Sequence, residues 1–272
     1  MPELPEIETI KRGLEEKLSG AKIKEVIINL SKPIKAPSPA EFKKRLTGRK
    51  IKAVRRRGKY IILEIEGGDY LFIHLKLTGQ LIVEKSGGPL ERHTHIIFCL
   101  SSRKDLRFID LRRFGTMNLV DRLDKFKVYN ELGAEPLDLF FTVEKLKWII
   151  EKRRTKIKQL LMDQKRIAGI GNIYAAEALF RAGINPLRVS GTLKDSEIKK
   201  LHQQIQKVLK EAIKYKGSSV DNYVTADGEK GNYEEKLLIY GRDKKTCPVC
   251  QTKLKSIKLG GRGTNYCPKC QK

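Results

Sequence analysis

Residues 60–75 read YIILEIEGGDYLFIHL. Two runs rich in branched and aromatic side chains, 60–65 and 70–75, flank a Gly-Gly-Asp turn signal at 67–69. This pattern predicts two strands joined by a turn. The same texture extends over residues 22–120, where similar runs are separated by short turn signals, and it therefore predicts an antiparallel β-sandwich or barrel. The predicted strands are 23–29, 51–56, 60–65, 70–75, 80–84, 94–100, 106–109 and 116–119.

Helical patterns precede and follow these strands. Apolar residues recur at every third or fourth position between Ile7 and Leu18, which predicts a helix over about 5–18. After Asp121 the chain becomes helical, and residues 225–235 are polar and contain glycine, as in a mobile loop. The further predicted helices are 143–152, 157–162, 175–181 and a long amphipathic helix that begins at 192–195. Together these elements predict an α+β protein.

The charge of the chain indicates its partner. Among 272 residues, 57 are Lys or Arg and 32 are Asp or Glu, which gives a net charge of +25 and a pI near 9.9. Such a balance is typical of nucleic-acid binding, because neutralising phosphates releases condensed counterions. No apolar run approaches the ~20 residues that span a bilayer, and the N-terminus has no signal-peptide pattern. We therefore expect a cytosolic protein without a membrane partner.

Cysteine spacing predicts a metal site near the C-terminus. Two Cys-x-x-Cys pairs are separated by sixteen residues, and four thiolates at this spacing suit a tetrahedral structural zinc ion. A disulfide pair is the alternative, which a cytosolic setting disfavours. The predicted ligands are Cys247, Cys250, Cys267 and Cys270. Cys99 stands alone in an apolar run and is expected to be buried and inert.

The segment between the cysteine pairs predicts a β-hairpin with a glycine-rich tip. It reads Leu259-Gly-Gly-Arg262-Gly-Thr264, and a lone arginine among glycines can approach a phosphate closely. This signal concerns nucleic-acid binding and carries no information about catalysis.

The N-terminus carries a candidate nucleophile. The chain begins Met1-Pro2-Glu3-Leu-Pro-Glu6, and removal of Met1 would leave Pro2 as a secondary amine. An α-amino group titrates near pH ~8, so much of it is a free nucleophile at neutral pH and can form a Schiff base. Glu3 and Glu6 place carboxyl groups nearby. Taken alone, the hexapeptide fits an ordinary helix start as well.

Several further motifs admit two interpretations each. The basic cluster at 55–59 fits a solvated strand edge or a phosphate contact. In Arg112-Arg-Phe114-Gly, the phenylalanine fits the core or a wedge in a base stack. Gly169-x-Gly-Asn172 fits a phosphate cradle or a plain loop. His93 and His95 lack an evident third ligand, so a surface pair is favoured over a metal site.

The set of motifs, in this order, resembles the formamidopyrimidine-DNA glycosylase family. The resemblance extends through the whole chain, and its joint order is highly specific. The motifs are Pro2-Glu-Leu-Pro-Glu6, Arg57-Gly-Lys59-Tyr60, His74-Leu-x-Leu77, His93-x-His95, Arg112-Arg-Phe114-Gly115, Gly169-x-Gly-Asn172-Ile-Tyr174, Gly260-Gly-Arg262-Gly263 and the cysteine pairs.

The resemblance implies a fold and a domain organisation. An N-terminal antiparallel β-sandwich with an N-terminal helix would precede a helical domain with a helix–two-turn–helix motif and a zinc finger, with DNA in the cleft between the domains. The expected boundaries are a catalytic domain at 1–122, a linker at 123–142, a helical domain with the lesion-capping loop at 143–243 and a zinc finger at 244–272.

The resemblance also implies an activity, namely excision of oxidised purines from duplex DNA followed by β,δ-elimination. Pro2 would attack C1′ of the damaged nucleotide, Glu3 would protonate the leaving base, and Lys59 and Arg262 would serve the two eliminations. A guanidinium is a poor general acid, so phosphate binding is the favoured role of Arg262. The implied DNA contacts are Glu6, His74, Leu77, His93, Arg112, Phe114, Arg153, Lys158 and Asn172.

One departure from the family and two alternatives bear on this assignment. The family usually has Met where Leu77 stands, in the wedge that fills the place of the extruded base. The related endonuclease VIII prefers oxidised pyrimidines, but its start resembles Pro-Glu-Gly-Pro-Glu, whereas position 4 here is Leu. A non-catalytic DNA-binding zinc protein is the other alternative, and Pro2, Glu3 and Lys59 together argue against it.

The expected cofactor is one structural zinc ion, with no redox or nucleotide cofactor. The expected partner is damaged double-stranded DNA, and the protein is expected to act as a monomer in the bacterial cytoplasm, associated with the nucleoid.

Overall fold

A computed structural model describes residues 1–220 and 222–272. The chain divides into two compact units, of which the first comprises Met1–Glu131 and Tyr215–Glu234 and the second comprises Leu132–Lys214 and Glu235–Lys272. Among the described residues, none of the helices combines the length and apolar composition that crossing a bilayer requires.

The first unit is a β-sandwich with helices on its edges, and the predicted strands are all present. In chain order its elements are α1 (Leu4–Leu18), β1 (Ile23–Ile28), β2 (Ile34–Ala36), α2 (Pro39–Leu46), β3 (Ile51–Arg57), β4 (Tyr60–Ile65), β5 (Tyr70–His74), β6 (Gly79–Lys85), β7 (Thr94–Leu100), β8 (Lys104–Asp110), β9 (Thr116–Val120), a 3-10 turn (Leu123–Lys125) and α3 (Lys127–Glu131).

Two sheets enclose the core of this unit. One sheet has the strand order β1–β7–β8–β6, and the other has the order β2–β9–β5–β4–β3. Alternate residues of both sheets are buried in one apolar cluster together with the inner face of α1, represented by Val26, Leu63, Phe98 and Ile10. Burial of this face, at about 25 cal/mol per Å² of apolar surface, fixes α1 against the sandwich.

β2 and α2 are absent from the sequence prediction. β2 contains three residues between Pro33 and Pro37, too few to show a period, and it pairs with β9 in parallel. α2 begins with a proline after the N-cap Ser38, whose hydroxyl accepts the N–H of Glu41. A helix of eight residues with buried side chains only at Phe42 and Leu46 gives a weak amphipathic signal.

Residues 215–234, which include most of the predicted mobile loop, have buried anchor points in the first unit. Ala226 lies in the sandwich core, its carbonyl accepts the N–H of Val83 at 3.0 Å, and the side chain of Tyr233 is fully buried. The polar residues around Ala226 conceal this anchor in the sequence. A 3-10 turn (Tyr233–Lys236) follows.

The second unit contains the predicted helices and the hairpin. Its elements are α4 (Val143–Ile150), α5 (Ile157–Met162), α6 (Asn172–Ala182), a 3-10 turn (Ser190–Thr192), α7 (Asp195–Lys214), β10 (Lys255–Leu259) and β11 (Arg262–Tyr266). α6 packs against α5, α7 and β11, and α4 packs against α7. α6 starts earlier than predicted because Gly171 serves as its N-cap, so Asn172 is its first residue.

A buried carboxylate joins α6 to the segment that leads to the cysteines. Glu177 is 0% exposed, and its Oε1 accepts the N–H groups of Ile239 at 2.9 Å and Tyr240 at 3.0 Å. Leu238 donates its N–H to the same carboxylate. These bonds offset part of the cost of burying the carboxylate, and burial still raises its pKa above the ordinary value.

The expected domain boundaries differ from these units in two places. The expected linker at 123–142 is divided between the units at Glu131 and Leu132. Tyr215–Glu234, expected within the helical domain, packs with the sandwich through Ala226.

Candidate functional site

The start of α1 holds the candidate nucleophile in a fixed position. Pro2 is buried and Glu3, the N-cap of α1, is 3% exposed. The carboxylate of Glu6 accepts the N–H of Glu3 at 2.8 Å and the N–H of Ser218 at 2.9 Å. The first turn of α1 is thereby joined to the segment that follows α7 in the chain.

Glu6, an expected DNA contact, has a structural role in this geometry. Its side chain is 1% exposed, and both carboxylate oxygens accept backbone N–H groups of the protein. Glu6 positions the backbone of Glu3 and Ser218.

Lys59 lies in the tight turn between β3 and β4. Arg57 and Tyr60 are paired across the turn, and Lys59 is 5% exposed. The neighbouring Arg56 donates to the Gly58 carbonyl at 3.2 Å and to the carboxylate of Glu8 on α1 at 2.9 Å. Arg56 thus connects the Lys59 turn to the helix that carries the candidate nucleophile.

Glu8 and Arg56 are functional candidates that the sequence did not reveal. The sequence left a solvated strand edge or a phosphate contact open for the basic cluster, and the Arg56 side chain is only 11% exposed. Burial alone would raise the pKa of Glu8, yet hydrogen bonds from Arg56 and Arg12 hold it below its ordinary value. The i+4 spacing of Glu8 and Arg12 is visible in the sequence, whereas the contact with Arg56 is not.

His74 is a buried neutral imidazole at the end of β5. It is 8% exposed, and its Nδ1 accepts the N–H of Lys76 at 2.9 Å. Burial and the positive charges of Lys76 and Lys59 lower its pKa to about 3. Since Nδ1 is an acceptor, the ring proton is on Nε2, which makes His74 a neutral hydrogen-bond donor.

The candidate wedge residues lie on two turns of the first unit. Leu77 is half-buried in the turn between β5 and β6, and Phe114 is 47% exposed in the turn between β8 and β9. The guanidinium carbon of Arg112 lies 4.8 Å from the centre of the Phe114 ring. Phe114 is therefore not a core residue, and an aromatic ring under a cation is available for stacking.

His93 and His95 do not form the expected surface pair. His93 is half-buried, whereas His95 is 6% exposed and its Nε2 donates to the Asp110 carbonyl at 2.8 Å. An irregularity in the β7–β8 pairing at this point separates the surroundings of the two rings. His95 is thus a structural residue, and His93 remains the candidate DNA contact.

In the second unit, the Gly169–Asn172 turn is shaped by a glutamine. Gln164 accepts the N–H of Gly169 at 2.8 Å and donates to the Ile170 carbonyl at 2.7 Å. The side-chain amide of Asn172 donates to the Gly263 carbonyl at 3.2 Å. The N-terminus of α6, where N–H groups favour anions, therefore lies beside the hairpin.

The hairpin presents Arg262 at its tip. Leu259 pairs with Arg262, and Gly260 and Gly261 have φ angles of 54° and 75°, which a two-residue type I′ turn requires. Arg262 and Gly263 are exposed. A guanidinium at such a tip can reach a phosphate.

Lys158, another expected DNA contact, supports this hairpin. It is 1% exposed, and its ammonium donates to the hydroxyl of Thr264 at 2.8 Å. Arg153, the other residue carried over on a weaker match, is half-buried, and its carbonyl accepts the N–H of Gly191 at 3.0 Å.

The four predicted cysteines converge on a tetrahedral site. Their sulfur atoms all lie within 4.8 Å of one another, and the Sγ atoms of Cys250 and Cys267 are 3.5 Å apart. Tetrahedral Zn–S bonds of about 2.3 Å require separations of about 3.8 Å, so the sulfurs fit one structural zinc ion. Cys99 is half-buried on β7, more exposed than expected.

Comparison with known proteins agrees with this arrangement. Residues 1–117 match the family model described as the formamidopyrimidine-DNA glycosylase N-terminal domain. Residues 132–224 match the formamidopyrimidine-DNA glycosylase H2TH domain, and residues 244–272 match a zinc finger found in FPG and IleRS. A relative named formamidopyrimidine-DNA glycosylase from Pelotomaculum thermopropionicum is 47% identical, covering 100% of this chain and 99% of its own length.

Solved structures show the same similarity. A complex between a mutant Lactococcus lactis FPG and a Fapy-dG containing DNA has a TM-score of 0.93 and 34% identity, covering 100% of both chains. A complex between wild-type Lactococcus lactis FPG and an oxidized pyrimidine containing DNA has a TM-score of 0.92 and 35% identity, also covering 100% of both chains.

The fold and the cysteine site define the class of zinc-finger proteins that combine an N-terminal sandwich with a helix–two-turn–helix domain. Within that class, the chain belongs to the formamidopyrimidine-DNA glycosylase family.

Removal of zinc is expected to weaken DNA binding at least tenfold, because the hairpin that presents Arg262 loses its covalent frame. Chelation followed by metal analysis and a fluorescence-anisotropy titration with duplex DNA measures this. A Cys99→Ser variant, which leaves the zinc ligands intact, is the control and should bind normally. Unchanged affinity after verified loss of zinc would refute the link.

Acidification is expected to destabilise the fold through His74. Its pKa of about 3 in the folded protein is below the ordinary value near 6.5, so the unfolded chain binds the proton more tightly. Stability is therefore full above pH ~6.5 and falls toward pH 3. Between pH 6.5 and 5 the loss amounts to about 2 kcal/mol.

Urea unfolding at pH 7, 6 and 5 measures this loss. His74→Gln should remove that part of the pH dependence, whereas His202→Gln, which changes a histidine of the second unit, should retain it. Equal pH dependence in the wild type and His74→Gln would contradict the assignment.

Proposed function

We propose that this protein excises oxidised purines from duplex DNA and cleaves the strand at the abasic site that results. The observation that carries the proposal is the start of α1, where Pro2 is buried and Glu6 binds the backbone of the adjacent Glu3 and of Ser218. A nucleophile that must meet one carbon atom benefits from such fixation. Family membership over the full chain supports the same activity.

In the first step, Pro2 acts as the nucleophile after Met1 has been removed. Its secondary amine attacks C1′, the glycosidic bond breaks, and the base leaves with a proton from Glu3. The attacking nitrogen loses its proton, its lone pair then forms a C1′ iminium as the C1′–O4′ bond breaks, and O4′ takes up a proton. The iminium acidifies the protons on C2′. The closed four-cysteine zinc site is structural and has no part in this step.

Elimination then cleaves the strand on both sides of the sugar. Loss of a C2′ proton expels the 3′ phosphate, with Lys59 as the proton donor, and a second elimination expels the 5′ phosphate. Arg262 binds a phosphate, since a guanidinium is a poor proton donor and a good phosphate ligand.

Base extrusion precedes the chemistry. It costs roughly a few kcal/mol and least at damaged positions, which contributes to selection of the lesion. Leu77, Arg112 and Phe114 occupy the vacated place, and His74, His93 and Asn172 contact phosphates. We propose that the protein acts as a monomer on the bacterial nucleoid.

Borohydride is expected to trap a covalent adduct between the processed protein and DNA that contains 8-oxoguanine opposite cytosine. Borohydride reduces the iminium, so the adduct reports the Pro2 mechanism directly. Pro2→Gly should lower the trapped fraction several-fold, and a residue retained before Pro2 should abolish it. Pro5→Ala, which removes a proline of the same helix without touching the amine, should trap normally. An undiminished adduct with a blocked N-terminus would overturn the mechanism.

Oxidised purines are expected to be excised faster than oxidised pyrimidines. Leu at position 4 and the segment at 225–235 favour excision of oxidised purines. The complex of Lactococcus lactis FPG with DNA that contains an oxidized pyrimidine is the reason to test oxidised pyrimidines as the alternative substrate. Single-turnover excision from matched duplexes with 8-oxoguanine, a formamidopyrimidine or an oxidised pyrimidine decides between them. Faster removal of the pyrimidine would favour the endonuclease VIII-like alternative.

A further inference from the structure

Asp110 occupies the junction between the two turns that carry the proposed wedge. It is the last residue of β8, it pairs with Gly79 at the start of β6, and it is 0% exposed. Leu77 lies two residues before Gly79, and Arg112 lies two residues after Asp110. Both turns therefore leave the sandwich at this pair.

The carboxylate of Asp110 bonds to both turns. From the first turn, the hydroxyl of Thr78 donates to Oδ1 at 2.5 Å. From the second turn, the N–H of Arg112 donates to Oδ1 at 3.2 Å and the N–H of Gly115 donates to Oδ2 at 2.7 Å. The N–H of Arg112 also lies 3.0 Å from the Thr78 hydroxyl, which joins the turns directly.

The main chain of Asp110 extends the network to the histidine strand. Its N–H donates to the His93 carbonyl at 3.1 Å, and its carbonyl accepts from Nε2 of His95. His93, a proposed phosphate contact, is thus held by the same residue as the wedge turns.

Close packing leaves the second turn little freedom at Gly115. A Cβ at this position would lie 2.5 Å from Cζ of Phe108 and 3.1 Å from Oδ2 of Asp110. The backbone approaches the core here while the preceding side chain, Phe114, points its ring to the surface with 47% exposure. The carboxylate therefore fixes the base of the turn whose tip carries the ring.

We propose that Asp110 is a positioning residue for base extrusion, which couples the Leu77 turn and the Arg112–Phe114 turn into one rigid wedge. The proposal rests on the proposed function, because it assigns these turns to the DNA. Arg112 and Phe114 are exposed and Leu77 is half-buried, so the shared carboxylate sets the position of one turn relative to the other. A wedge must enter a single base step, so loss of that coupling slows extrusion without removing the chemistry.

Asp110→Asn tests the coupling, because the amide nitrogen replaces one of the two acceptor oxygens and leaves a donor of at least one turn without its acceptor. We expect excision of 8-oxoguanine from duplex DNA to slow at least tenfold. The fluorescence rise of 2-aminopurine next to the lesion, followed by stopped flow, should slow by the same factor. Borohydride trapping on a single-stranded oligonucleotide with a preformed abasic site requires no extrusion and should stay within twofold. Equal losses in both assays, or no loss with the duplex, would overturn the proposal.

Asp105→Asn is the matched control on the same strand. Asp105 is 6% exposed and accepts the Ser86 hydroxyl at 2.7 Å, so its replacement also disturbs a buried carboxylate but leaves the wedge turns untouched. Both assays should stay within twofold. A tenfold duplex-specific loss in this variant would show that any buried carboxylate of β8 has the same effect.

Thr78 provides the conservative rescue. Thr78→Val removes the hydroxyl at similar volume and should slow duplex excision, whereas Thr78→Ser retains the hydroxyl and should restore it. The double variant Asp110→Asn, Thr78→Val should be no more than twofold slower than Asp110→Asn alone, since both act on one interaction. If the double variant instead slows excision by the product of the two single-variant factors, the coupling is refuted. If the wild type fails to excise, the proposed function is wrong, and the 2-aminopurine signal of the bound duplex still tests the role of Asp110.

Discussion

A carboxylate that is removed from water needs hydrogen-bond donors, and this requirement organises the functional turns of the chain. Glu6 accepts hydrogen bonds from the N–H groups of Glu3 and Ser218. Asp110 accepts them from N–H groups of the turn that follows it in the chain. Glu177 accepts them from consecutive residues that lead to the zinc-binding segment. Each carboxylate joins segments that are distant in the chain or lie on different turns. Removing one leaves buried N–H groups without acceptors, at about 1–3 kcal/mol each.

The acidic and basic residues therefore have different roles. The net charge of +25 attracts any duplex, because phosphate neutralisation does not depend on sequence or damage. Selection of a damaged base depends on where the nucleophile and the wedge stand relative to the sugar. In the proposed function, the buried acids determine those positions, and His74, neutral with a pKa of about 3, adds a directional hydrogen bond to the attraction between charges.

Local chemistry was readable from the sequence, and long-range partners were not. The strands followed from alternation and turn signals, and the cysteine site followed from spacing. Lys158 and Glu6 were expected on the DNA because a family resemblance assigns a residue to a site without stating its burial. Lys158 bonds to Thr264, 106 residues away, and Glu6 bonds to Ser218, 212 residues away. No local period encodes such pairs.

The leucine at position 77 also depends on a turn that a buried carboxylate holds in place. Methionine, usual in the family, is flexible and adapts to irregular gaps, whereas leucine has fewer rotatable bonds and a shorter reach. A stiffer side chain loses less rotamer entropy when it enters a base stack, but it cannot compensate for a misplaced backbone. Its action as a wedge therefore depends on the turn that presents it, and Thr78, the next residue, is bonded to the Asp110 carboxylate. In the proposed wedge, a rigid backbone would therefore compensate for a side chain that adapts less to its surroundings.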